Sequence, residues 1–491
     1  MLYTLPLLAS LALPQNAPSF DVHLAEAAFA EPFSGDIFVA FSENDEPRSS
    51  MHRWLGTPPL MRFHVENVAP GGSVRLSPEN AAARHPSRWN EVIGKPWHIQ
   101  AIARVNPVNR VAGTGEGDVY GDAVQIDYVP GAGAIELRLD HVVETQPFKQ
   151  TERIRLFSFV SPSLSKFHGL QYTLNAGLML PRNYEPDVTY PVVYSVTGFG
   201  GTHHGIHRWA RRVAEGSLLD ECIIVIPDAS NLYGHSVFCD SDSIGPWGEA
   251  LVHELIPELE EEFGGAGKDH RYVTGVSSGG WSSLWLQVAY PEEFAGCWSH
   301  VPDPIDFFDF QQINLYDPLP DGSPRNMYVD EDGNARPLAR RGEEVMLTYE
   351  DFVRREHVTN PGGQIRSFEA TFSPLGADGT PHRIFDVETG EIDHEAAQAW
   401  RKYDISHILL TQWDELRNSL SGKVHVYAGE VDTFYLEGAV ERFQALAREA
   451  GMLDEMVVEV VPGMAHTLYN KGQEDMLETI AERWSRLGGA Q

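Results

Sequence analysis

Gly275-Val276-Ser277-Ser278-Gly279 fits the pattern G-x-S-x-G. A serine hydroxyl is inert at neutral pH until a base, an orienting acid and an oxyanion site converge on it, so the pattern implies nucleophilic acyl chemistry only if other segments supply those parts. Glycines two residues either side let a sharp strand-to-helix turn hold the serine in a strained backbone without clash, which makes Ser277 the candidate nucleophile rather than Ser278. "YVTGV" before it reads as a strand and "WSSLWLQVAY" after it as a helix, the context the turn needs. Acid and base are then expected on later strand-end loops, in the order Ser, Asp or Glu, His. Asp432 follows "KVHVYAGEV" and His466 follows "VVEVVPGMA". Glu430, two residues nearer its strand, is the rival acid, whereas His425 lies inside the strand and His300 precedes a long insertion. Two backbone N–H groups must face the developing oxyanion: that of Ser278, which opens the helix, and that of Phe199 in the glycine-rich "TGFGG" at 197–201.

The elements that must position these residues begin near 148. "YTLNAGLMLP", "YPVVYSVTG", "CIIVIPDAS", "RYVTGVS", "KVHVYAGEVD" and "EMVVEVVPG" read as strands, with "WGEALVHELIPELEEEFG" and "LEGAVERFQALAREAG" as helices between them. Strand, helix, strand in succession predicts a mostly parallel sheet with helices on both faces, whose strand-end loops gather at one edge. A segment from about 302 to 418 is too long for one connection and is expected to form a lid, a wall or a docking surface. Within it, "YVDEDGNARPLARRGEEVMLTYEDF" predicts a hairpin leading into a helix, and its acidic residues lack EF-hand spacing.

From 20 to 147, short runs such as "SGDIFVAFS", "LMRFHVENVAP", "PWHIQAIARVN" and "AIELRLDHVV" alternate with turns and predict a separate antiparallel β-sandwich. Its "GTGEGD" at 113–118 opens no helix and reads as a loop, not a phosphate cradle. The start, 1–19, resembles a secretory signal without a basic n-region, so a secreted or periplasmic protein is expected, with a cytoplasmic one the alternative.

Seventy acidic against 37 basic side chains leave a formal charge of -33, which repels phosphate backbones and anionic lipid and so excludes nucleic acid as a natural partner. No apolar run past the start is long enough to span a bilayer. Cys222, Cys239 and Cys297 form neither a disulfide framework nor a zinc pattern, and "HELIP" at 253 has Pro257 where a zinc-protease helix needs histidine. No cofactor or metal is called for. Trp281, Trp247, Trp298 and His203 are weaker candidates for lining a substrate site, and oligomeric state is not readable.

Taken together, "YPVVYSVTGFGG", "IIVIPDASNLYGHSVFCDSDSIGPWGEALVHELIPELEEEF", "RYVTGVSSGGWSSLWLQVAYPEEFAG", "HVYAGEVDTFYLEGAVERF" and "PGMAHTLY" resemble the "Putative esterase", or esterase D-like, branch of the α/β-hydrolases, which includes feruloyl and enterochelin esterases. The resemblance runs from about 150 to 485. It implies an α/β-hydrolase fold for 148–491, Ser277 as nucleophile, His466 as base and Asp432 as acid, acting on an ester that is aromatic or linked to an extracellular polysaccharide. Acyl transfer to an alcohol, or binding on an idle hydrolase scaffold, are the alternatives. Two features depart from the pattern: Thr197 stands where many relatives have histidine, and the 302–418 insertion is far longer than in small members.

Overall fold

Mostly apolar runs dictate the central layer of the larger unit. Val192–Val196, Ile223–Pro227, Gly296–His300 and Val424–Gly429 are buried at every position, as strands covered on both faces must be. The computed structural model describes residues 18–55, 58–86, 96–127, 133–145 and 147–486, so the signal-like start lies almost wholly outside the described residues. Two compact units are formed, one from residues up to Thr145 together with Arg354–Asn360, the other from Gln146–Val353 and Pro361–Gln491.

The larger unit is built on eight strands: β1 (Ile154–Val160), β2 (Thr173–Met179), β3 (Val192–Val196), β4 (Ile223–Pro227), β5 (Arg271–Val276), β6 (Gly296–His300), β7 (Val424–Gly429) and β8 (Val457–Val461). Their order is β1-β2-β4-β3-β5-β6-β7-β8. β2 runs antiparallel to both β1 and β4, and every pairing from β4 onward is parallel. This is the α/β-hydrolase fold.

The helix Ser278–Ala289 leaves β5 and is buried from Ser278 through Val288. It can lie this close to the sheet because glycine replaces bulk: a Cβ on Gly279 would stand 2.0 Å from the Val196 carbonyl oxygen, and one on Gly280 2.5 Å from that of His300. The expected amphipathic helix at 247 is helical from Trp247 to Phe263 but widens into a π-helix over Ala250–Leu255. Pro257 explains the widening, since it donates no N–H and its ring crowds the carbonyl four residues back.

The insertion has its own apolar packing. A hairpin, Pro337–Arg341 with Glu344–Thr348, leads into the helix Tyr349–Thr359, and further helices occupy Gln364–Phe372 and Ile405–Leu420. Phe307, Phe310, Phe372 and Trp400 meet edge-on or tilted at 5.2–5.9 Å between ring centres.

The smaller unit holds a three-stranded and a seven-stranded sheet. Phe20, Val22, Leu137 and Leu139 from the first share one buried cluster with Ile37, Val39, Phe63 and Ile99 from the second. The unit is not wholly antiparallel, because Phe20–Leu24 pairs in parallel with Ile135–Leu139. "AIELRLDHVV", expected as one strand, divides at Asp140: Ile135–Leu139 joins the smaller sheet and His141–Val142 the larger. The 113–118 loop wraps its own carboxylate. Asp118 accepts the N–H groups of Val105, Asn106, Gly113 and Gly115 at 2.8–3.1 Å, so those donors are already taken.

Candidate active site

Ser277 stands between β5 and the buried helix with φ 63 and ψ -128, a backbone conformation that a side chain adopts only when its surroundings impose it. They do so from both sides. Its N–H donates to the His300 carbonyl at 3.1 Å and its carbonyl accepts from Trp281 at 3.0 Å. A Cβ on Gly275 would meet the Gly279 carbonyl oxygen at 2.1 Å, so the two motif glycines are in backbone contact across the turn.

The loop after β3 comes to the same place. A Cβ built on Gly198 would lie 3.2 Å from that of Ser277, which puts the 197–201 loop directly against the serine. Thr197 brings no polar partner of its own to this loop beyond its carbonyl, which accepts from His235 Nε2 at 2.9 Å. His235 Nδ1 in turn accepts from the Val237 N–H at 3.0 Å, fixing a neutral imidazole with its proton on Nε2. His235 therefore pins the loop that carries Phe199, and nothing in the motif pattern singles it out.

His466 and Asp432 come together from the loops after β8 and β7: His466 Nδ1 donates to Asp432 Oδ2 at 2.8 Å. Asp432 is fully buried, and its other oxygen accepts the Phe434 N–H at 2.8 Å. An ionised carboxylate only accepts, so this bond places the imidazole proton on Nδ1 and leaves Nε2 free to take one. The Phe434 ring meets the imidazole edge-on at 4.9 Å. Glu430, the rival acid, is exposed and turned to the Gly463 N–H at 2.9 Å.

The acid loop is tied to the insertion. Arg340, on the inserted hairpin, donates from Nε to the Asp432 carbonyl at 2.9 Å, from its backbone N–H to the Thr433 carbonyl at 2.8 Å, and from Nη2 to Glu437 at 2.5 Å. Its guanidinium also covers the Tyr435 ring at 4.3 Å. Gln311, also from the insertion, donates to the Phe434 carbonyl at 2.9 Å.

A carboxylate absent from the sequence reading joins the site. Asp303, three residues past β6, is 4% exposed; its Oδ1 lies 3.5 Å from Ser277 Oγ, and its Oδ2 accepts from Ser278 Oγ at 2.5 Å and Gln364 Nε2 at 3.3 Å. Burial pushes its carboxyl up to about 6, opposed by the Ser278 hydroxyl and by the charge of His466, while Asp432 adds to the rise. Asp303 thus adjoins Ser277 by contact and feels both His466 and Asp432 through space.

The three tryptophans do not line a site. Trp281 is stacked on Trp285 at 5.4 Å and covered by Phe372, Trp247 donates to the Ile244 carbonyl, and Trp298 stacks on His425 and donates to Asp475; each is at most 1% exposed. None offers a face to a ligand, which corrects the sequence expectation. His203 is tied to the buried Asp228 at 2.6 Å and stacked on Phe148 at 5.6 Å. Cys222, Cys239 and Cys297 are free and buried, and burial pushes all three thiols up, those of Cys222 and Cys297 to about 12. Among the described residues no group of three His, Cys, Asp or Glu side chains is arranged to hold a metal ion, and no helix is long and apolar enough to cross a membrane.

Residues 168–477, more than half of the chain, match the family model described as "Putative esterase". The chain belongs to that family. Among solved structures, this Putative esterase family member is similar to a ferulic acid esterase (15% identity over 67% of this chain and 98% of the other, TM-score 0.40). It is similar also to an S-formylglutathione hydrolase from Agrobacterium tumefaciens (15%, 67% and 95%, TM-score 0.39) and a fluorophosphonate-binding serine hydrolase of Staphylococcus aureus (12%, 67% and 97%, TM-score 0.37).

Proposed function

We propose that the chain is a serine carboxylic ester hydrolase working through Ser277, His466 and Asp432. The observation that carries this reading is the 2.8 Å bond between His466 Nδ1 and the fully buried Asp432, which leaves Nε2 as a base in a chain whose G-x-S-x-G serine occupies a positive φ. His466 takes the Ser277 proton as Oγ attacks the ester carbonyl, and the oxyanion rests on the N–H groups of Phe199 and Ser278. The imidazolium then protonates the leaving alcohol, an acyl-enzyme forms on Ser277, and water activated by the same imidazole releases the acid. Asp432 holds the tautomer and stabilises the cation. Each oxyanion donor contributes roughly 10²- to 10³-fold in such sites.

We extend the proposal to an ester that is aromatic or carried on an extracellular polysaccharide. This rests on the sequence resemblance and the signal-like start and not on Trp247, Trp281 or Trp298, which are buried. The two N-terminal sheets are read as a β-sandwich on the strength of their shared core.

The test is hydrolysis of a 4-nitrophenyl ester series and a feruloyl ester by the wild type and Ser277→Ala, with fluorophosphonate labelling of both. Turnover and labelling lost together in the variant support the reading. No labelling of the wild type would sink it in favour of a binding protein, and an ester product formed with an added alcohol would assign acyl transfer.

A further inference from the structure

Asp303 has a position that the Ser277, His466 and Asp432 scheme does not use. It is buried on the loop after β6, its backbone N–H reaches the Ser277 carbonyl at 3.4 Å, and its carboxylate touches Ser277 Oγ on one side and Ser278 Oγ on the other. The groups facing it are Ser277 and Ser278 from the nucleophile turn, Gln364 from the inserted helix Gln364–Phe372, and His466 and Asp432 from the last two strand-end loops. Only one of these, His466, becomes a cation during the reaction. Electrostatic coupling is reciprocal: if the imidazolium favours the charged form of Asp303, charged Asp303 favours the imidazolium by the same free energy.

We propose that Asp303 is a second carboxylate of the active site, which stabilises the imidazolium formed when the proton of Ser277 Oγ passes to His466 Nε2. The proposal rests on Ser277 and His466 acting as nucleophile and base. The proton moves from Oγ to Nε2, Oγ bonds to the ester carbon, and Asp303 neither gains nor loses a proton in that step. Its charge acts on the imidazole through space, while Ser278 Oγ and Gln364 Nε2 keep the carboxylate in place. Because full activity needs Asp303 ionised as well as His466 neutral, activity on the acid side responds to two groups rather than one.

The experiment is the kcat/KM profile for 4-nitrophenyl acetate from about pH 4 to pH 9 for the full chain and for Asp303→Asn, which keeps the shape and removes the charge. The wild type is expected to lose activity on the acid side more steeply than first order in proton concentration, over the roughly tenfold range that the Asp303 charge supplies. In Asp303→Asn the loss becomes first order, its midpoint moves to lower pH, and the plateau falls by about tenfold, the effect of removing one nearby opposite charge. Gln364→Leu removes a donor that favours the charged carboxylate and is expected to move the wild-type acid limb the other way, to higher pH. Unmoved acid limbs in both variants would overturn the proposal, as a purely structural Asp303 changes the plateau but not the shape. Ser277→Ala and His466→Gln run alongside separate the two levels: if either keeps its activity, the reading of nucleophile and base fails; if both lose it while the limbs stay fixed, Asp303 alone is wrong.

Discussion

The turn that carries Ser277 and the loop that carries Asp432 end parallel strands at the same edge of one sheet, but they are held by different means. Around Ser277 the tightest constraints are backbone and local, Gly275 against Gly279, Gly279 against Val196, and the Ser277 N–H on the neighbouring strand's His300, and Asp303 and Gln364 of the insertion add side-chain contacts with Ser277 and Ser278. Around Asp432 they are side chains reaching in from the insertion, Arg340 on the Asp432 and Thr433 carbonyls and Gln311 on that of Phe434. The backbone geometry of Ser277 therefore belongs to the α/β-hydrolase framework itself. That of the Asp432 loop depends in part on side chains from 302–418, so this insertion is a structural member of the candidate site and not merely a cover for it.

The sharpest break of that comparison is at Ser277, the proposed nucleophile. Ser277→Ala is expected to lower kcat on 4-nitrophenyl acetate by about 10⁴-fold or more while leaving the thermal melt unchanged. Retained activity would mean the turn is scaffold. Gly279→Ala tests the turn without touching a reacting atom: its Cβ would stand 2.0 Å from a backbone oxygen that no rotamer change can move. It should cost more than about 3 kcal/mol of stability, seen as a lowered Tm or loss of soluble protein, and a wild-type melt would refute backbone contact as the constraint.

On the acid side, Arg340→Ala should lower kcat by about tenfold with KM little changed, because the Asp432 loop keeps its own Phe434 N–H bond, and added guanidinium should restore part of the loss. An unaffected kcat would show that the loop holds itself. The smallest effect concerns stability. Burial raises the Asp303 carboxyl to about 6, so between the ordinary carboxylate range and that value the folded chain binds a proton the unfolded chain does not, and this group's contribution to stability falls as pH rises through the window. Asp303→Asn should therefore raise Tm by about 2–4 °C at pH 8 and leave it nearly unchanged at pH 4. An equal rise at both values would point to packing instead of charge.

The same contrast explains what could be read from sequence. The placing of Ser277, Asp432 and His466 on strand-end loops of one sheet is legible because a motif and a strand-end rule mark these positions. Asp303 obeys the same rule, three residues past β6, but it opens the insertion, where the pattern of strands breaks and the rule is easily dropped. Trp281 and Trp285 have helical spacing that identifies one face of a helix, but only the fold reveals that Phe372 and Tyr403 of the insertion cover that face. In the smaller unit, period-two alternation marks strands without fixing their direction, so the parallel pairing of Phe20–Leu24 with Ile135–Leu139 is invisible before the register is known.

Residues Arg354–Asn360 belong to the smaller unit although the chain reaches them only after β6 of the larger one. Val358 enters the cluster of Phe38, Ala40, Met51, Leu60 and Ile102, and the buried Arg355 donates to the carbonyls of Met51 and Pro58. On the ribosome the N-terminal unit must therefore wait, with that apolar cluster incomplete, while most of the second sheet emerges. Residues 18–145 expressed alone should be prone to aggregate, and the chain has no seam at which a single cut yields two finished halves.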